Sequence, residues 1–77
     1  MNHNIAFGIF LRQQRKKNMQ SQEALAFDAG LDRTYISLLE LGRKSPTLDT
    51  ILALCQAMKL QFSELALEVE AIIESDN

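Results

Sequence analysis

Two short stretches of helical sequence meet at Gly30, and this corner restricts the possible folds more than any other feature of the chain. Ser21 and Asp32 are each suited to the N-cap of one stretch, and the linker between the two helices is only a few residues long. Gly30 has the backbone freedom that a sharp turn needs, and Ala26 leaves room for a second helix to cross closely. Three apolar residues are predicted to pack the second helix against the first: Leu31, Ile36 and Leu39.

Helical spacing of apolar residues recurs along the rest of the chain, whereas period-two alternation is short and rare. The fold class predicted is all-α: a compact domain of five helices that spans residues 1–77. The first helix is predicted over about 5–17 with a left-handed stop at Asn18, the third over 33–41 and the fifth over about 63–74, with a frayed end at 75–77. The fourth follows an N-cap at Thr47. Its inward stripe is predicted to be Leu48, Ile51, Leu52, Cys55 and Met58.

Composition excludes several classes of protein. With 77 residues, 47% of them hydrophobic and 23% charged, the chain suits one small globular domain. We expect no membrane span and no secretory signal, and the single cysteine favours the reducing cytoplasm. His3 has no cluster of metal-ligating residues around it, Cys55 falls on an apolar stripe, and no serine has a neighbouring base. We therefore expect no enzyme, no cofactor, no metal and no small-molecule ligand.

The net charge of −2 hides an uneven distribution. Residues 1–44 contain seven basic and four acidic side chains, a net charge of +3, whereas residues 45–77 contain one basic and six acidic side chains, a net charge of −5. Such a chain is able to present a basic face to a polyanion and an acidic face to solvent or protein.

The corner at Gly30 carries a recognisable pattern. Its residues are Gln22-x-x-Leu25-Ala26-x-x-x-Gly30, then Ile36-Ser37 and Glu40-x-Gly42. This pattern resembles the phage-repressor (lambda-repressor and Cro) helix-turn-helix family, and the resemblance extends over about residues 8–65. Within the family, the hexapeptide 32–37 is most similar to the controller proteins of restriction–modification systems. The resemblance implies a sequence-specific regulator of transcription that binds double-stranded operator DNA.

The helix that begins near Arg33 is the expected recognition helix, the one that enters the major groove of DNA. Its exposed first turns are predicted to contact bases through Arg33, Thr34, Tyr35 and Ser37, with an arginine able to give two parallel donors to a guanine. Phosphate contacts are predicted from Gln22, at the start of the second helix. They are also predicted from the loop after the third helix, through Arg43, Lys44 and Ser45. The resemblance further implies a structural ion pair between Arg15 and Glu40.

Two positions depart from the family pattern. Met19-Gln20 stands where the family usually has Gly-Leu, and we expect Met19 to supply the apolar packing one position early. Leu38 occupies a position where some members place a polar residue against bases, so its contact with DNA is limited to a thymine methyl group.

The last predicted helix is apolar on more than one face. Leu65, Val69 and Ile72 have the spacing of an inward stripe. The remaining apolar residues point elsewhere and are predicted to form a two-fold dimer interface: Leu67, Ala71 and Ile73. A dimer would place its two recognition helices about 34 Å apart on a near-palindromic operator.

Several alternatives stay open at this point. The regulator is a restriction–modification controller that acts on genes including its own, or a phage-type repressor, or an antitoxin-like regulator. RNA polymerase is a further candidate partner. A hypothesis of another class is a helical protein-interaction module that does not bind DNA, which the acidic second half favours.

Overall fold

In a computed structural model, which describes residues 1–76, five helices account for most of the chain and those residues contain no strand. The helices are α1 (His3–Lys17), α2 (Gln22–Ala29), α3 (Arg33–Glu40), α4 (Leu48–Met58) and α5 (Phe62–Ser75). This confirms the all-α prediction. None of the helices in the described part of the chain is long and apolar enough to cross a membrane.

Side-chain caps explain where most of the helices begin. Ser21 Oγ accepts the Ala24 backbone N–H at 3.0 Å, and Thr47 Oγ1 accepts that of Thr50 at 3.1 Å. The first helix starts two residues earlier than predicted because the side chain of Asn2 accepts from the backbone of Asn4 at 2.7 Å. Asp32 lies at the N-cap of α3 but makes no capping hydrogen bond with its side chain.

The end of α1 differs from the prediction. Asn18 has φ −83°, and the left-handed residue is Met19, with φ 58°. The reason is a Schellman motif, in which Gln20 N–H reaches the carbonyl of Arg15 at 3.0 Å and Met19 N–H reaches that of Lys16 at 2.9 Å. This motif requires a left-handed conformation one residue after the cap.

The same turn overturns the expectation that Met19 packs inward. Its side chain is 93% exposed, because the left-handed backbone directs it into solvent. Gln20 is half-buried instead and donates from Nε2 to Asp28 Oδ2 at 3.3 Å. Its Oε1 is buried and has no partner within residues 1–76. The family's apolar turn is therefore replaced here by a polar one.

One continuous core joins all five helices. Its fully buried side chains include Leu11, Leu25, Ile36, Leu39 and Leu54. The predicted stripe of α4 is partly wrong, because Leu48 and Leu52 are exposed whereas Thr50 and Leu54 are buried. Apolar residues occupy most positions of α4, so their spacing alone does not identify the inward face, and packing against α2 and α5 decides it.

Candidate nucleic-acid interface

The turn between α2 and α3 fixes how α3 is presented. Gly30 is left-handed, with φ 69°, and the Leu31 N–H reaches the Ala26 carbonyl at 2.8 Å. Ile36 and Leu39 are then fully buried, as predicted, and the half-buried Leu31 packs against the same core. The opposite side of α3 therefore faces outward from the body of the protein.

The exposed side of α3 begins with Arg33 and Thr34. Ser37 is half-buried one turn later on the same side. Arg33 Nε lies 3.9 Å from Glu23 Oε1, and both side chains are largely exposed. An exposed ion pair of this kind holds the side chain weakly, so the guanidinium is able to leave it for another acceptor.

Tyr35 is placed differently from the other three predicted base contacts. Its ring packs against the core, and its hydroxyl lies 3.5 Å from Thr50 Oγ1. Thr50 in turn accepts from Thr47 Oγ1 at 3.0 Å, so Tyr35 joins α3 to the start of α4. Its outer edge alone is available to DNA.

The loop after α3 carries exposed cations. Arg43 and Lys44 are both exposed directly after Gly42. Ser45 exchanges two hydrogen bonds with Asn4, donating to Oδ1 at 3.0 Å and accepting from Nδ2 at 2.7 Å. A phosphate at Ser45 would therefore have to replace a bond to Asn4, whereas Arg43 and Lys44 need no such exchange.

An ion pair between Arg15 and Glu40 joins α1 to the end of α3. Arg15 Nε donates to Glu40 Oε2 at 2.6 Å and Arg15 Nη2 donates to Oε1 at 3.1 Å. The hydrogen bond with Glu40 raises the pKa of Arg15 above its ordinary value, against the effect of burial. Glu40 also accepts from Gln22 Nε2 at 3.1 Å, which links the predicted phosphate contact to the ion pair.

Sequence reasoning missed two exposed apolar residues near this face. Leu41 is exposed at the end of α3, and Phe27 is 87% exposed on α2. Leu38 and Leu41 are three positions apart and lie on one side of the helix, whereas Leu39 lies on another, so burial of Leu39 already implied that the other two would face outward. Together with the half-buried Leu38, Leu41 makes the last turn of the outward face of α3 apolar.

In the described part of the chain, no carboxylate of α5 forms an ion pair with a cation of α3. Within residues 1–76, the carboxylate that comes within 4.0 Å of Arg33 is that of Glu23. Glu64 instead accepts the Gln61 backbone N–H at 2.9 Å and caps α5. Because no carboxylate described for α5 pairs with Arg33, the arrangement favours a DNA-binding face over the alternative interaction module.

The described residues contain no group of three or more His, Cys, Asp and Glu arranged to hold a metal ion. Cys55 is buried in the core, as predicted. Burial raises the pKa of its thiol, which favours the protonated and unreactive form near neutral pH.

Known proteins are similar to this chain in both sequence and fold. Control protein C.BamHI of Bacillus amyloliquefaciens is 42% identical over 65 residues, which cover 83% of this chain and 80% of that protein. The restriction–modification controller protein C.AhdI from Aeromonas hydrophila has a similar crystal structure, with a TM-score of 0.78 and 40% identity over 80% of this chain and 94% of that chain. The C.Esp1396I tetramer, in complex with its natural 35 base-pair operator, has the same fold at 20% identity, with a TM-score of 0.88 over 95% of this chain and 96% of that chain.

A family model described as helix-turn-helix matches residues 11–65, which include α2, the turn at Gly30 and all of α3. The resemblance seen in the sequence is thereby confirmed. The chain belongs to the helix-turn-helix family, and its relatives include controller proteins of restriction–modification systems.

Proposed function

We propose that the protein is a sequence-specific DNA-binding regulator of transcription that binds a near-palindromic operator as a homodimer and controls restriction–modification genes, including its own. The observation that carries this proposal is the exposed side of α3, which begins with Arg33 and Thr34 and is followed by Arg43 and Lys44. The control protein at 42% identity supports the restriction–modification context over a phage repressor or an antitoxin. Regulation then follows from occupancy of DNA beside a promoter and requires no catalysis.

The reading step is assigned to α3 in the major groove. Arg33 gives two parallel N–H donors to guanine O6 and N7, and Thr34 and Ser37 offer hydroxyl groups to neighbouring base edges. Leu38 and Leu41 suit thymine methyl groups. Tyr35 holds the helix against the core and keeps only its outer edge for DNA.

Phosphate binding is assigned to both sides of α3. Arg43 and Lys44 are exposed cations that pair with phosphates without reading sequence, and Ser45 joins them by exchanging its bond to Asn4. Gln22 lies in the first turn of α2, where unpaired backbone N–H groups favour an anion.

The dimer is assigned to α5, within a single domain that spans the chain. Leu67 is 67% exposed and Ala71 is exposed one turn later, whereas Leu65 is buried. Ile73 is half-buried and, at about 100° per residue, stands about 120° around the helix from Leu67. It falls on the same side as Ala66 and the exposed Phe62, so the proposed interface is wider than one stripe.

Two further assignments follow from this role. RNA polymerase is a proposed partner, because a regulator beside a promoter meets the enzyme there, and the exposed Phe27 offers an apolar side chain for a protein contact. The proposed location is the cytoplasm, which the single cysteine also favours.

We expect Arg33→Ala to relax base preference at one position of each half-site by about 10- to 100-fold, because the two guanine bonds are lost. Lys44→Ala should weaken binding to all DNA sequences by a similar factor and reduce the dependence of affinity on salt. The measurement is selection from a random DNA pool, followed by binding titrations of both variants on the selected operator and on single-base changes. Failure of the wild-type chain to enrich any sequence at moderate salt would contradict the proposed function.

We expect Leu67→Glu to convert the protein to a monomer, because the introduced carboxylate would be buried without a partner in the proposed interface. The measurement is analytical ultracentrifugation over a concentration series, with operator affinity measured in parallel. Gln13→Glu is the matched control, since it adds the same charge to an exposed position of α1. A wild-type chain that remains monomeric at tens of micromolar, about the range of a weak dimer, would exclude this interface.

A further inference from the structure

The side chain of Gln22 is held by a buried carboxylate before any DNA is present. Its Nε2 donates to Glu40 Oε1 at 3.1 Å, and the side chain of Glu40 is only 5% exposed. An amide nitrogen carries two hydrogens, and within residues 1–76 the structure gives this nitrogen one acceptor. The second hydrogen is left for a group outside the protein.

Arg15 fixes the carboxylate that holds Gln22. Its guanidinium spans both oxygens of Glu40 and also donates from Nη1 to the Gln20 carbonyl at 2.8 Å. Glu40 Oε1 therefore accepts from Arg15 and Gln22 together. Because the cation compensates the carboxylate, Glu40 orients the amide without placing an uncompensated negative charge beside a DNA phosphate.

We propose that Glu40 is a positioning residue for DNA, which acts by fixing the amide of Gln22 in the orientation that donates to a backbone phosphate. The inference rests on the proposed function and gives the Arg15–Glu40 pair a second role beyond joining two helices. A free glutamine side chain loses rotamer entropy when it is fixed in one orientation. Folding has already restricted the side chain of Gln22, so this loss of entropy does not occur a second time when DNA binds.

The expected signature is coupling between Gln22 and Glu40 in DNA affinity. Gln22→Ala should weaken operator binding about tenfold in the wild-type background, as loss of a hydrogen bond to a charged group predicts. In the Arg15→Met/Glu40→Met background, where the acceptor is absent but apolar side chains fill the space, the same change should cost no more than about twofold. Lys44→Ala is the control, and its effect should be equal in both backgrounds.

Two further readouts separate positioning from a merely structural role. Ethylation interference on the selected operator should show one phosphate that is sensitive in the wild type and insensitive both in Gln22→Ala and in Arg15→Met/Glu40→Met. In Arg15→Met/Glu40→Gln, an amide oxygen replaces the carboxylate as acceptor, so part of the coupling and of the sensitivity should return.

Relaxation of the side-chain amide ¹⁵N provides a test that needs no variant and no DNA. The amide of Gln22 should be nearly as ordered as the backbone, whereas the amide of the exposed Gln13 should be mobile. Equal mobility of the two amides, or an equal cost of Gln22→Ala in both backgrounds, would overturn the inference while leaving the proposed function intact. Failure to select any operator would instead overturn the proposed function and the DNA role of Gln22, whatever the amide shows.

Discussion

Arg15→Met is expected to lower the free energy of unfolding by about 3–5 kcal/mol, which is a large part of the stability of so small a domain. The reason is that the carboxyl group of Glu40, 5% exposed, would stay buried without the guanidinium that pairs with it. The Gln20 carbonyl would also lose its donor. Urea unfolding followed by circular dichroism measures the change.

The matched variants for this test are Arg12→Met and the double variant Arg15→Met/Glu40→Met. Arg12 is exposed on the same helix, so its replacement should change stability by less than about 0.5 kcal/mol. The double variant removes both charges and should recover most of the loss, since a well-packed apolar pair often replaces a buried ion pair at little cost. A single variant as stable as the double one would show that burial of Glu40 carries no penalty.

Gly8→Ala is expected to lower the free energy of unfolding by about 3 kcal/mol or more, at or above the upper end of the usual cost of overpacking. A Cβ at this position would lie 2.5 Å from the carbonyl oxygen of Leu39 and 2.6 Å from that of Glu40. Both obstacles are backbone atoms of the last turn of α3, so α1 and α3 would have to move apart. Thermal unfolding measures the loss, and operator affinity of the remaining folded protein should fall as α3 shifts.

Gly30→Ala is the control for Gly8→Ala. A Cβ at Gly30 would meet no atom within 4 Å, but the residue has φ 69°. Its cost should therefore be that of a left-handed backbone alone, about 1–2 kcal/mol. If Gly8→Ala proved milder than Gly30→Ala, the close approach of α1 to α3 would not be a determinant of stability.

Helix positions and the turn at Gly30 were predictable because they depend on neighbours in sequence. Ser21 and Thr47 cap by reaching backbone groups three residues away, and Gly30 supplies a local backbone conformation. The left-handed residue at the end of α1 is predicted one residue early, at Asn18, whereas the structure has it at Met19. Nothing in the residue type favoured a left-handed methionine, so the family's usual glycine at this position was the available signal.

The inward face of α4 was not predictable from spacing. Leucine, isoleucine and alanine occupy so many of its positions that several stripes satisfy the same period. Packing of α4 against α2 and α5 leaves Leu54 buried and Leu48 and Leu52 exposed. In a helix with fewer apolar residues, fewer faces would have satisfied the helical period, and the inward face would have been easier to predict.

The order of the residues determined the five helices, the corner between α2 and α3, and the family pattern that implied an Arg15–Glu40 pair, because each is a matter of local geometry or of a recognisable motif. Tertiary structure alone decided that the amide of Gln22 lies on Glu40, that Tyr35 packs on the core, and which side chains of α4 are buried. These contacts join residues that are 15 or more positions apart, such as Gln22 with Glu40 and Tyr35 with Thr50. Their geometry exists only once the helices have crossed, since no period or cap along the chain measures the distance between two helices.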